Sequence, residues 1–154
     1  MVNTFTVGNV TITLDETDVD DSTPDVDRDT ANTYRLVPGS SYTKDPTIHV
    51  AEGSEDCYVF VKVENGLVDI EADTTIAEQM TTEGWTDVAE RENIYQKADK
   101  VVAGADVVVF ETLNIAPNAD VAAYADANIT VTAFAIQAEG LTVEDAAKQI
   151  PEGF

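Results

Sequence analysis

Cys57-Tyr58-Val59-Phe60-Val61-Lys62-Val63-Glu64 alternates two sets of side chains: Cys57, Val59, Val61 and Val63 on one face, Tyr58, Phe60 and Lys62 on the other. Alternation with period two marks a β-strand, because successive side chains leave opposite faces of the pleat. Both sets are largely apolar, so this strand is predicted to lie in the middle of a packed sheet with cover on both sides.

Working outward, the run 129–137 is a second long extended stretch. Near the start, Phe5 and Val7 are apolar at odd positions, and Val10, Ile12 and Leu14 at even ones. The parity flips at Gly8-Asn9, which predicts a bulge or hinge. Residues 34–37 lead into the turn signal Pro38-Gly39, and Ile48 and Val50 open another extended run, broken at Glu52-Gly53-Ser54. Residues 74–82 read as a short helix with Ile76 and Met80 on one side, stopping before Gly84. Residues 85–88 and 94–97 read as a hairpin, 107–113 as one buried strand, and 119–127 as one or two helical turns. Thr142-Val143-Glu144-Asp145 resembles a capped helix start, followed by Ala146, Ala147 and Ile150 and closed by Pro151. With no internal repeat or linker, residues 1–154 are expected to form one mainly β domain, a jelly-roll-like antiparallel β-sandwich with a few short helices.

Composition agrees. The 154 residues are 44% hydrophobic, enough for a core without disulfides, and the lone cysteine, Cys57, has no internal partner. Thirty acidic residues against eight basic ones give a net charge of −22. Nucleic acid is excluded as a partner, since the basic residues never sit side by side to displace counterions. Anionic membrane surfaces are disfavoured on the same ground, and no apolar run is long enough to predict membrane insertion. Met1-Val2-Asn3-Thr4 carries no legible signal peptide. Cations are the ligand class that the field favours.

Catalytic chemistry finds little support. His49 is the only histidine, flanked by Ile48 and Val50 in a strand-like setting, and no H-E-x-x-H motif exists. Ser22, Ser40, Ser41 and Ser54 lie in loop contexts outside any G-x-S-x-G elbow. Glu55 and Asp56 precede Cys57 and oppose a thiolate, so the cysteine reads as buried and structural. No glycine-rich phosphate loop occurs, no pair among the 30 acids stands out for glycoside hydrolysis, and no cofactor is implied. Residues 15–29 hold eight carboxylates, one arginine and one proline, and read as a solvated loop joining two strands. Within it Asp25, Asp27 and Asp29 have the alternate spacing of calcium ligands. The EF-hand pattern nevertheless fails, because Thr30 stands where glycine is needed and Leu36 where a bidentate Glu is needed. An irregular calcium site at these three residues is the metal candidate. Most aromatic residues read as core, with Tyr42 and Trp85 the candidates for sugar stacking.

Residues 4–12 (Thr-Phe-Thr-Val-Gly-Asn-Val-Thr-Ile), Leu36-Val37-Pro38-Gly39 with Thr43-Lys44-Asp45-Pro46, residues 56–63 and residues 129–140 resemble, in that order, the TasA/camelysin family of bacterial biofilm-matrix and spore-coat-associated proteins. The resemblance implies a secreted, cell-surface jelly roll, processed by a dedicated signal peptidase, whose copies polymerise by donor-strand complementation. An added strand satisfies the open edge of a sheet and buries alternate side chains. The donor would lie upstream of Thr4, with residues 1–3 its remnant and Phe5 and Val7 on the retained assembly strand. A non-enzymatic subunit of a fibre or biofilm matrix layer, partnered by copies of itself, is the leading expectation. The alternatives are a monomeric adhesion or calcium-binding module and, more remotely, a camelysin-like metallopeptidase, for which the sequence supplies no ligand set.

Overall fold

The computed structural model describes residues 2–20 and 25–154. The described residues form eleven strands and two short α-helices. The strands are β1 (Val2–Val7), β2 (Ile12–Thr17), β3 (Arg28–Asp29), β4 (Ser41–Thr43), β5 (Thr47–Val50), β6 (Cys57–Asn65), β7 (Trp85–Asp87), β8 (Ile94–Lys97), β9 (Asp106–Val108), β10 (Thr112–Asn114) and β11 (Ile129–Gln137). One layer is a five-stranded sheet in the order β1-β11-β6-β8-β7, and the facing layer contains a four-stranded sheet β3-β2-β5-β9 with the pair β10-β4. The protein is a mainly β sandwich, as its alternation predicts.

β6 lies in the interior of its sheet, flanked by β11 and β8. Cys57, Val59, Val61 and Val63 enter the core between the layers, where they meet Ile12, Leu14, Ile48 and Val50 of the opposite sheet and Val131, Ala133 and Ala135 of β11. Tyr58 and Phe60 point the other way, into a second apolar cluster with Phe134, Ile136, Ala146, Ile150 and Phe154. Cover on both faces thus accounts for the unbroken buried run from Cys57 to Val61 at the start of β6.

The parity flip at Gly8-Asn9 has a structural cause. Gly8 has φ +88°, and a Cβ there would lie 2.6 Å from Gln137, so the position combines a left-handed backbone with closed space. The chain turns between layers at this point, with β1 in one sheet and β2 in the other.

Helix α1 (Ile76–Thr82) carries a complete capping box between Thr75 and Glu78 and buries Ile76 and Met80. Helix α2 (Val143–Ala147) has the same device between Thr142 and Asp145, and its buried Ala146 packs on the outer face of the five-stranded sheet. β7 and β8 are the expected hairpin strands. The alanine-rich stretch holds one 3₁₀ turn at Val121–Tyr124.

Three expectations are corrected. The run 107–113 is not one strand but two, β9 and β10, on either side of a break. β9 pairs with β5 (Thr47↔Val108) and β10 with β4 (Thr43↔Thr112) in a shared register. The interruption falls at Pro46, which has no N–H to give and only accepts from Val109 N. Second, the acidic stretch 15–29 is not a solvated loop throughout. β2 runs on to Thr17, β3 returns to pair with it, and Glu16 is buried against Lys44. Residues 21–24 of that stretch lie outside the described residues. Third, Trp85 is buried, with its Nε1 donating to Val108 O, and the Tyr42 hydroxyl donates to Arg35 O and accepts from Val37 N. Trp85 thus offers no open stacking face for a sugar, while the half-buried Tyr42 closes the turn that leads into β4.

Candidate functional site

The feature with the clearest capacity to act on another molecule is the β1 edge. β1 pairs in parallel with β11 over six residues, Val2↔Val131 through Val7↔Ile136. It is the outermost strand of its sheet, and residues 4–7 are all exposed. Phe5 and Val7, the predicted assembly residues, retain 53% and 42% of their surface. They lie level with Phe134 and Ile136 on the outer face of the sheet. Phe5 touches one ring there, that of Phe154, edge-on at 6.0 Å between centroids. Along residues 4–7, then, β1 meets the sheet chiefly through its backbone ladder to β11.

Phe154 and the chain leading to it escaped the sequence reading. Arg91 donates to Ile150 O and Pro151 O, and Lys62 donates to Phe154 O at 2.7 Å. Thus fixed, the Phe154 ring packs edge-on to Phe134 at 5.6 Å. The only signal in the sequence is an isolated aromatic after Pro151-Glu152-Gly153, which names no partner.

On the outer face of the other layer, His49 bridges two carboxylates. Its Nδ1 lies 2.6 Å from Asp106 Oδ1, and its Nε2 lies 2.8 Å from Asp15 Oδ1. Arg28 Nε donates to the same Asp15 oxygen, and Arg28 Nη1 donates to Asp45. Partial burial opposes charge on the imidazole, but its hydrogen bonds to the Asp106 and Asp15 carboxylates and their negative charge prevail and raise its pKa above the ordinary 6.5. The expected strand residue on a polar face is therefore an ionic tie across β2, β5 and β9.

A raised folded-state pKa stabilises the fold fully below the unfolded value, and the benefit is lost as pH climbs through the folded value. His49→Gln is accordingly expected to lower Tm most near about pH 6 and progressively less toward about pH 9. Thermal melts of both proteins across that range test this, and a pH-independent difference would contradict it.

Cys57 is fully buried, and burial, with a smaller contribution from Asp56, pushes its thiol up to about 11. The predicted direction holds, although desolvation rather than the neighbouring acids is the leading cause. A recess of 470 Å³ opens beside Tyr34, Leu36, Lys44, Leu113, Tyr124 and Ile129. Burial, reinforced by Glu16, Asp45 and Asp20, drives the Tyr34 phenol pKa upward, and the Lys44 ammonium pairs with Glu16 Oε2 at 2.9 Å.

Of the calcium candidates, Asp25 is exposed with φ 65°, Asp27 is exposed and its carbonyl accepts from Asp18 N, and Asp29 stands in β3 opposite Glu16. Among the described residues, no group of three or more His, Cys, Asp or Glu side chains is placed to hold a metal ion. Also among the described residues, no helix is long and apolar enough to cross a membrane. No family model, curated protein or solved structure matches the chain.

Proposed function

We propose that the protein is a structural subunit of an extracellular fibre or cell-surface matrix layer, assembled by exchange of the strand on the β11 edge. The observation that carries this reading is β1: six residues paired to one strand, peripheral, exposed along residues 4–7, and joined to the sandwich through the Gly8 turn. Here β1 fills the edge of its own subunit. A strand from a neighbouring copy offers β11 the same backbone donors and acceptors, so replacement conserves the ladder while linking two chains. The ordered resemblance to the TasA/camelysin family supports the same assignment and an extracellular setting.

Light scattering with negative-stain microscopy tests it, comparing this chain alone with the chain in excess of a peptide of residues 2–8, which competes for the β11 edge. Thin fibres from the chain alone are expected. Monomers from both at every salt concentration would overturn the proposal in favour of a monomeric adhesion or calcium-binding module.

A further inference from the structure

We propose that Phe154 closes an aromatic seat over β11 which selects the strand on that edge, and sets its register, through the Phe5 side chain. For a strand from a second copy the inference rests on the assembly reading above. For the chain's own β1 it stands alone.

A backbone ladder is nearly blind to sequence, since every residue except proline offers the same N–H and C=O. The ladder β1–β11 therefore cannot by itself distinguish the observed register from one displaced along the strand. Side chains must decide, and on the outer face Phe5 is the aromatic residue of β1. Its level on β11 is Phe134, yet the ring that meets Phe5 edge-on is Phe154, at 6.0 Å and 72°. Phe154 meets Phe134 in the same manner, at 5.6 Å and 73°. The three rings form a chain with Phe154 at its centre.

Phe154 is suited to that place. It is 8% exposed, whereas Phe5 is 53% exposed, so the seat is largely prebuilt and its occupant half-open. The backbone beneath it is fixed by Lys62 and Arg91 and by the turn from Pro151 O to Phe154 N. A strand slipped by one residue would bring Thr4 or Thr6 to the level of Phe134. A slip by two would bring Asn3 or Val7 there. None of these offers an aromatic edge, so each loses the ring contacts that Phe5 makes.

Amide hydrogen exchange on the wild type, Phe5→Ala, Phe154→Ala and the double variant tests the seat in the monomer. Each single variant is expected to speed exchange of the β1 amides bonded to β11 by about two- to tenfold, with β6 unchanged. The double variant should be no faster than the faster single one, since both remove the same contact. Should Phe154→Ala fail to fold, Phe5→Ala remains decisive through faster exchange of the Phe154 amide. Unchanged exchange in the single variants, or effects that multiply in the double, would overturn the seat. Monomers at every salt concentration alongside coupled exchange would sink the assembly reading and leave the seat for β1 standing. Fibres alongside uncoupled exchange would do the reverse.

Discussion

Val61→Asp is expected to abolish the native fold. Val61 is fully buried, at the centre of β6, level with Ala133 of β11 on one side and Tyr95 of β8 on the other. Its side chain enters the core between the two layers, where Val59, Val63, Val131 and Ala133 also lie. An aspartate there must either remain charged without a partner or take up a proton and leave its hydroxyl unbonded. Either outcome belongs to the class of substitutions costing more than about 4 kcal/mol, against a total stability of about 5–15 kcal/mol for an ordinary domain. Circular dichroism and thermal melting should show no cooperative transition near that of the wild type. Normal melting would mean that β6 does not occupy the centre of the sandwich.

Lys44→Met should be the next most damaging change. The Lys44 ammonium lies 2.9 Å from Glu16 Oε2, with side-chain exposures of 8% and 3%, and stands 5.1 Å over the Tyr34 ring. Removing the lysine alone strands a carboxylate in the interior, which costs about 3–5 kcal/mol. The double variant Lys44→Met/Glu16→Leu removes both charges and is expected to recover most of that loss. One Asn32 N–H loses its acceptor, Glu16 Oε1, in the double variant while the other keeps Thr17 O, and Asn32 is only half-buried, so water can take the freed donor. Urea denaturation of the single and double variants measures the difference. A double variant less stable than Lys44→Met would show that the ion pair contributes more than the burial of its two charges costs.

The features legible in the sequence share one property: the physical cause and its effect lie within a few residues. Alternation along residues 57–65 reports two buried faces because each face is populated by every second residue. The Gly8 turn is legible as a change of parity, and the start of α2 through Thr142 with an acid three residues on. Phe5 and Val7 could be placed on a strand at the start of the chain. The features missed have causes distant in sequence. Nothing near 107–113 signals a break, because the interruption originates at Pro46 on the partner strand. Trp85 reads as a stacking candidate because Val108, whose carbonyl takes its indole N–H, lies 23 residues away.

The sequence by itself therefore determined the class of the protein. Period-two patterning, punctuated by glycine and proline, dictates a mainly β sandwich with β6 at its centre. Tertiary structure alone decided which side chains meet. Glu16 finds Lys44 across 28 residues, His49 finds Asp106 across 57, and Phe5 finds Phe154 from the other end of the chain. Local patterns fix which face a residue takes, since backbone geometry acts over neighbours. Which partner waits on that face depends on how the layers close, and only the folded chain specifies that.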